Sequence, residues 1–322
     1  MRYIFLCIIS FSLSFGNAHI FVYHRFNDDR HQSANTTLQE LTKQFEYFKT
    51  HNYKVVPLDS ILEKIEKKES IPEKWVALTI DDAYKSFYEH GLDIFKKYNY
   101  PFSLFVYVEA TNKKYGDFMR WDQIKESSKY GSIGLHSYSH PHLQNLSIKQ
   151  IKEDTKKAYN TFEKKLGFKP TVYAYPYGEY TKEVTDTLKE NFNFRAILNQ
   201  NTGSITSKTD IFDIPRVALV GDVNLKHKLR YKSFDVKWQE PLVFPKDGVL
   251  KRVKATVAKD IKLLKLYITG EGWRDVNVKD GIVDERYNLH LKKGRTRIML
   301  GPDVFTISNN IINKIKLEKK EK

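Results

Sequence analysis

The sequence predicts an α/β fold: a distorted (β/α) barrel of about seven strands, followed by a small antiparallel, sandwich-like β domain. As far as about residue 230, apolar runs of strand length alternate with amphipathic helical segments, which is typical of a parallel sheet covered by helices. Seven or so such units favour a closed or nearly closed barrel. After residue 230 the helical periodicity stops, and alternating runs separated by turn residues replace it.

The barrel elements follow one another in a regular order. Thr37 is a candidate N-cap for the first helix, whose apolar face carries Leu38, Leu41, Phe45 and Phe48. The predicted strands span residues 19–23, 53–56, 75–80, 102–108, 132–135, 171–175, 194–198 and 214–219. The predicted helices between them include residues 60–68, 87–98, 122–130, 148–166 and 182–191.

Alternating apolar residues define the predicted β domain, at residues 250–257, 261–268, 286–291 and 295–300. Turn signals such as Asp280-Gly281 separate these runs. The chain is therefore predicted to contain a signal peptide at 1–18, a barrel domain at 19–230, an accessory β domain at 231–308 and a basic tail at 309–322.

The N-terminus has the pattern of a secretory signal peptide. Arg2 precedes an apolar stretch at 3–15, and Gly16-Asn17-Ala18 offers small residues for cleavage after Ala18. An uncleaved anchor is the alternative, but the run is shorter than the ~20 residues of a span. We expect an exported protein, periplasmic or secreted, with no stable membrane span after cleavage. Cys7 is the only cysteine and lies in this segment, so the mature chain would form no disulfide.

The formal charge of +15 raises the question of nucleic acid as a partner. No nucleic-acid-binding motif is present, and an exported protein rarely meets nucleic acid. A solvated basic surface that favours anionic envelope polymers is the preferred interpretation.

Two polar motifs follow predicted strands. Asp81 and Asp82 directly follow the apolar run at 75–80, and His136 and His140 follow the strand at 132–135. Carboxyl ends of barrel strands are where chemistry gathers. One carboxylate and two imidazoles can hold a metal, which leaves the other carboxylate free as a general base. If the loop curls helically, the two imidazoles face the same way. Alternatives are an Asp-rich turn and two surface histidines.

A third motif is the Pro-Tyr-Gly turn that ends at Gly178, at the end of the strand at 171–175. Because proline has no N–H, the N–H of Tyr177 can point into the pocket and stabilise a developing oxyanion. An ordinary strand-to-helix turn is the alternative.

In order and spacing, these motifs resemble those of the polysaccharide deacetylases of carbohydrate esterase family 4, which read T-F-D-D-G, H-[ST]-x-x-H and R-x-P-Y. The resemblance covers roughly residues 19–220. The corresponding segments here are Thr79-Ile80-Asp81-Asp82-Ala83, His136-Ser137-Tyr138-Ser139-His140 and Ala174-Tyr175-Pro176-Tyr177.

The resemblance implies a role for each matching residue. Asp82, His136 and His140 would bind one divalent metal ion, most often zinc in the family. Asp81 would be the general base, and the Tyr177 N–H, with the metal, would hold the oxyanion. Ser137 would brace the histidine loop by a hydrogen bond.

Four further residues are candidates for the substrate pocket. Trp121 is matched by the resemblance to the family's tryptophan motif as a pocket wall, and Tyr84 and Tyr138, like Tyr177, could stack on sugar rings. His24, at the end of the first strand, is a geometric candidate for the general acid that protonates the leaving amine. Packing at the barrel mouth is the alternative.

The sequence departs from the family pattern in three ways. Ala83 replaces the usual Gly, so we expect this turn to avoid positive φ. Ala174 replaces the Arg that orients the base, as is familiar in the branch that acts on poly-β-1,6-N-acetylglucosamine. The region of the motif that supplies a general acid, residues 214–223, contains no His.

The predicted function is metal-dependent N-deacetylation of an N-acetylated envelope or extracellular polysaccharide, with release of acetate. A deacetylase of peptidoglycan or chitin oligomers and a metal-dependent hydrolase of small amides are alternative enzymes. A catalytically weakened glycan-binding protein is the alternative from a different class, favoured by the missing Arg and acid.

Overall fold

The computed structural model describes residues 17–315. The predicted signal peptide falls almost entirely outside the described residues, as does the end of the predicted basic tail. Within 17–315, no helix combines the length and the apolar character that crossing a membrane requires.

Short strands and helices alternate through the first two hundred described residues. The strands are β1 (His19–Tyr23), β2 (Arg25–Phe26), β3 (Asn35–Thr36), β4 (Lys54–Val55), β5 (Trp75–Ile80), β6 (Ser103–Val106), β7 (Ser132–Leu135), β8 (Val172–Ala174), β9 (Ala196–Leu198) and β10 (Val217–Ala218). The helices are α1 (Leu38–Thr50), α2 (Leu58–Glu66), α3 (Leu92–Tyr98), α4 (Val108–Asn112), α5 (Trp121–Ser127), α6 (Ile148–Leu166), α7 (Lys182–Asn191) and α8 (Leu225–Lys228).

Side-chain caps explain where the two longest helices begin. Thr37 accepts a hydrogen bond from the N–H of Glu40, whose carboxylate bonds back to the Thr37 N–H, and α1 starts there. Ser147 and Gln150 form the same reciprocal pair before α6. That helix stops where Gly167 adopts a φ of 84°, a conformation that glycine reaches without a steric penalty.

Parallel strands form one barrel-like sheet, in the order β10-β1-β5-β6-β7-β8-β9, with β4 beside the start of β5. A bridge between Leu198 and Ile214 links the last strand of this order to the segment leading into β10, so the ring is nearly closed. The predicted distorted (β/α) barrel is confirmed. Because every strand is parallel, all carboxyl ends lie at one rim.

Alternate residues of the barrel strands enter two different cores. Phe21 and Leu78 pack in a core that also contains apolar residues of α1, α3 and α6. Their chain neighbours Ile20 and Ala77 pack in a second core, together with α2. Burial on both faces explains why these strands read as continuous apolar runs.

Within the described residues, eight strands follow the barrel. They are β11 (Lys232–Ser233), β12 (Lys237–Glu240), β13 (Val249–Thr256), β14 (Leu263–Ile268), β15 (Gly272–Asn277), β16 (Ile282–His290), β17 (Arg295–Gly301) and β18 (Thr306–Asn313). They pair antiparallel except for the parallel pair of β11 with β18. They build two sheets, β11-β18-β17-β14-β15 and β12-β13-β16, which share one hydrophobic core. The predicted sandwich-like β unit is therefore present.

The end of this unit differs from the prediction. The sequence pattern placed the start of the basic tail at residue 309, whereas β18 continues to Asn313 and pairs with β17 along its length. Ile307 and Ile312 are buried on this strand, and the asparagines between them interrupt the alternation that marks a strand in the sequence.

Candidate active site and metal centre

Three predicted ligands meet at the carboxyl-end rim of the barrel. Asp82 lies just after β5, and His136 and His140 lie in the loop after β7. One ligand atom from each lies within 4.8 Å of the others. The Nε2 atoms of His140 and His136 are 3.1 and 3.4 Å from Asp82 Oδ1. The structure thus brings the carboxylate and both imidazoles together around one point.

The chemistry of this donor set fits a divalent metal ion. Asp82 Oδ1 is buried and accepts no hydrogen bond from any residue that the structure describes, which is unfavourable unless a cation occupies the centre. His136 Nδ1 contacts the carbonyl oxygen of Ala174 at 2.8 Å, which leaves Nε2 free to bind. One carboxylate and two imidazoles are a typical protein ligand set for zinc, with coordination positions left open.

Burial sets the protonation states of these ligands. It lowers the pKa of His136 to about 4, so the imidazole is neutral near pH 7, as metal binding requires. Burial alone would raise the pKa of Asp82, but the adjacent imidazoles, foremost His140, lower it below its usual value. Asp82 is therefore ionised at neutral pH, as a candidate metal ligand should be.

The histidine loop is not the helical curl that the i, i+4 spacing suggested. Ser137 and His140 both adopt positive φ, 65° and 52°. Ser137 Oγ accepts a hydrogen bond of 2.9 Å from the His140 N–H, and the Asp154 carboxylate accepts bonds from the N–H groups of Tyr138 and Ser139. These bonds from α6 and within the loop take the place of helical hydrogen bonds and hold the imidazoles at the rim.

The turn after β5 overturns the expectation that Ala83 avoids positive φ. Asp82 and Ala83 have φ of 71° and 58°. Ala83 is completely buried, and its carbonyl oxygen accepts a hydrogen bond from the Met119 N–H. Packing and this bond hold the alanine in a conformation that costs a non-glycine residue about 1–2 kcal/mol.

Asp81 lies beside the ligands but is bonded to a different partner. Both Asp81 and Arg216 are 0% exposed. The guanidinium Nη1 and Nη2 atoms donate to the two carboxylate oxygens at 2.7 and 2.8 Å, and Gln200 Nε2 donates to Oδ2 at 3.3 Å. Burial would raise the pKa of Asp81, but the charge of Arg216 outweighs it and lowers the pKa below its usual value.

Arg216 is the functional residue that sequence reasoning missed. It also donates to the Thr79 hydroxyl and the Asn199 carbonyl, so all three guanidinium nitrogens donate hydrogen bonds. The arginine expected at position 174 is thus replaced by one that comes from just before β10, the strand beside β1. The available signal was a single charge within the apolar run at 214–219.

The Pro-Tyr-Gly turn also reaches this rim. Tyr177 has a φ of 59°, and its ring centroid lies 4.5 Å from that of His140 in an edge-on arrangement. The Tyr177 ring is also stacked on the ring of His142, with 4.1 Å between the centroids. The turn is therefore adjacent to one of the three candidate ligands, where an oxyanion donor is expected.

The four predicted pocket residues lie in different surroundings. Tyr84 packs on Phe118 and lies under the Arg25 guanidinium. Trp121 begins α5, and its Nε1 is buried without a hydrogen-bond partner among residues 17–315. Tyr138 is only 7% exposed and is covered by Lys157 of α6, so the structure does not bring it together with the ligands.

His24 follows β1 at the same rim. Its Nδ1 atom is buried and has no hydrogen-bond partner in the described chain. Its imidazole therefore belongs to the rim that carries the carboxylates of Asp81 and Asp82 and is not one of the clustered ligands.

Aromatic residues outside the motifs complete the surroundings. The ring of Tyr107 lies 5.3 Å from that of His140, and Phe118 contacts Tyr107 and Tyr115. Tyr115 is 42% exposed. These rings extend an aromatic surface from the ligands toward solvent.

Comparison with known proteins agrees with this geometry. Residues 68–196 match the family model described as polysaccharide deacetylase. The chain is 24% identical over 241 residues to a poly-β-1,6-N-acetyl-D-glucosamine N-deacetylase of Escherichia coli, an alignment of 62% of this chain and 35% of that protein. It is 30% identical over 118 residues to the peptidoglycan-N-acetylmuramic acid deacetylase PdaC of Bacillus subtilis, covering 36% of this chain and 24% of the other. The chain thus spans about a third or less of these relatives.

The fold matches solved structures as well. The Streptococcus pyogenes deacetylase PplD, solved in complex with acetate, superposes with a TM-score of 0.60 at 19% identity, over 65% of this chain and 95% of that one. At this identity the likeness concerns the fold.

Proposed function

We propose, on the premise that residues 68–196 belong to the polysaccharide deacetylase family, that this chain hydrolyses N-acetyl groups of a polysaccharide and releases acetate. The observation that carries the proposal is the convergence of Asp82, His136 and His140 beside a separate carboxylate, Asp81, that Arg216 keeps ionised. A ligand set with a free base next to it is suited to metal-assisted hydrolysis.

The metal proposed is zinc, held by Asp82, His136 and His140. When bound, it would polarise the acetamide carbonyl and lower the pKa of water. The base, the oxyanion donor and the acid of the proposed reaction are supplied by residues of the chain at the same rim.

Asp81 is assigned as the general base. It accepts a proton from the attacking water, whose oxygen then bonds to the acetamide carbon. The Tyr177 N–H donates to the oxyanion that develops on the carbonyl oxygen. Collapse breaks the carbon–nitrogen bond, acetate leaves, and the sugar nitrogen takes up a proton to leave as an amine.

His24 is assigned as the donor of that proton, because no histidine occurs at 214–223. It follows β1 at the rim that carries both carboxylates, does not belong to the ligand cluster, and its buried Nδ1 has no hydrogen-bond partner among the described residues. Replacing His24 by Asn is expected to lower kcat while the metal content stays unchanged.

The substrate class is an N-acetylated envelope or extracellular glycan. The name of the Escherichia coli relative favours poly-β-1,6-N-acetylglucosamine, and the Bacillus subtilis relative makes peptidoglycan the second candidate. The exposed aromatic rings of Tyr115 and Tyr177 suit stacking on pyranose rings. Such substrates lie outside the cytoplasm, which agrees with the expected export of the chain.

One of the two arguments for an inactive glycan-binding protein no longer holds. This alternative was favoured by the absence of an arginine to orient the base, and Arg216 provides that contact from another strand. The intact ligand set also favours an enzyme.

Acetate release from defined oligosaccharides tests the proposal. Asp81→Asn is expected to retain the metal and lose about 10²–10⁴-fold in rate, the usual contribution of a general base. His136→Ala is expected to lose both the metal and the activity. Binding of glycans without acetate release from poly-β-1,6-N-acetylglucosamine, peptidoglycan or chitin oligomers would favour the binding protein instead.

A further inference from the structure

The β unit reaches into the candidate active site through one side chain. Arg295, the first residue of β17, donates a hydrogen bond of 3.0 Å from Nη1 to the carbonyl oxygen of Tyr177. The same nitrogen lies 3.5 Å from Glu179 Oε1. A residue of the accessory unit is therefore bonded directly to the turn assigned to the oxyanion.

Glu179 connects this contact to the histidine loop. Its side chain is only 9% exposed, and its other carboxylate oxygen lies 2.7 Å from His142 Nδ1. His142 in turn stacks on the ring of Tyr177 with an interplanar angle of 10°. Arg295, Glu179, His142 and Tyr177 thus form a closed ring of contacts across the β unit, the turn and the histidine loop.

The backbone at Tyr177 explains why such a ring matters. A φ of 59° and a ψ of 2° place this residue in the left-handed region, which a non-glycine side chain enters only at a cost of about 1–3 kcal/mol. In another conformation the carbonyl of Tyr177 would turn away from Arg295, and the hydrogen bond from the Gly178 N–H of the same peptide group to the Tyr175 carbonyl would be disturbed. A donor fixed on β17 therefore favours the observed conformation of the turn that carries the Tyr177 N–H.

We infer that Arg295 is a positioning residue for deacetylation, so the β unit is a working part of the active site. This inference rests on the proposed function, but its structural half, the restraint of the 175–180 turn, is measurable without any substrate. Arg295 touches neither the ligand cluster nor Asp81 in the described contacts, so its loss is expected to leave metal binding intact.

The test compares Arg295→Gln, Arg295→Lys and a control, Arg252→Gln, in the full chain. Arg252 pairs with Asp284 and Glu240 within the β unit, so its replacement removes a similar ion pair far from the turn. Metal content, kcat and KM for acetate release from an N-acetylglucosamine oligomer, and amide hydrogen exchange of a peptide covering 175–180 are measured for each variant.

We expect Arg295→Gln to lower kcat about tenfold with KM within threefold, to leave the metal content unchanged and to speed exchange of the 175–180 peptide several-fold. Arg295→Lys, which keeps the positive charge beside Glu179 as well as a donor for the carbonyl, should recover part of both effects, and Arg252→Gln should show neither.

Unchanged exchange in Arg295→Gln, or a loss of metal parallel to the loss of kcat, would overturn the inference. If the parent chain releases no acetate from any glycan, the proposed function fails, while the exchange measurement still decides whether Arg295 restrains the turn.

Discussion

Replacing Arg216 by Met probes the pair on which the proposed chemistry depends. Methionine fills a similar volume without a charge. The change removes the two bonds to Asp81 and those to Thr79 and Asn199, and it leaves a carboxylate that is 0% exposed without its counter-ion. We expect a lower free energy of unfolding and a shift in the low-pH side of the pH–rate profile.

The expected loss of stability follows from burial. Removing one partner of a buried ion pair costs about 3–5 kcal/mol, because the other charge stays desolvated and unpaired. For a unit of about 200 residues, each kcal/mol shifts Tm by about 2–4 °C, so Tm should fall by about 6–20 °C. Arg195→Met is a matched control, because Arg195 forms ion pairs with Glu66 and Asp59 near the surface. Their loss should lower the free energy of unfolding by less than about 1 kcal/mol.

The pH dependence has a definite sign. Arg216 holds the pKa of Asp81 below its usual value, so the pair stabilises the fold above the ordinary carboxyl pKa and loses that effect as the pH falls through the lower, folded value. Without Arg216 the pKa rises, and the acid limb of kcat/KM should move to higher pH.

Thermal unfolding followed by circular dichroism and pH–rate profiles of acetate release measure both effects. The double variant Arg216→Met with Asp81→Asn should regain much of the lost Tm, because position 81 then no longer carries an unpaired buried charge. A single Arg216→Met variant with a Tm within 2 °C of the parent and an unmoved acid limb would refute the reasoning.

Three further outcomes are expected. Gly178→Ala should lower the rate of acetate release at least tenfold. The φ of Gly178 is 65°, and the new methyl would lie 2.5 Å from Cβ of Gln200, which donates a hydrogen bond to Asp81. Kinetics like those of the parent chain would contradict this. The metal-free protein should lose stability as the pH falls from about 6.5 to about 4, because burial lowers the pKa of His19 and His136 to about 4 and the unfolded chain then binds more protons; a constant urea midpoint across this window would be evidence against it. Tyr115→Ala should raise KM for an oligosaccharide about 2–12-fold with little change in kcat, from ~0.5–1.5 kcal/mol of aromatic stacking; an unchanged KM would place the glycan elsewhere.

Local patterns explain what could be predicted from the sequence. The barrel strands are buried on both faces, so their apolar runs stand out, and the ligands Asp82, His136 and His140 follow directly from strand ends. Arg216 was missed because 135 residues separate it from Asp81, and only the closing of the sheet brings the two together.

Backbone conformation in loops was harder to predict. The turn at Ala83 was expected to avoid positive φ, since an isolated alanine does, but burial and the bond from Met119 determine it instead. The contact of Arg295 with Tyr177 has no local signature either, because it joins residues 118 positions apart.

The position of Arg216 just before the ring-closing strand ties the counter-charge of Asp81 to closure of the barrel. A molecule in which the segments carrying Asp82 and both imidazoles have assembled, but β10 has not paired with β1, would lack the guanidinium beside Asp81. Such a molecule could bring the candidate ligands together without the ionised neighbour on which the proposed hydrolysis depends.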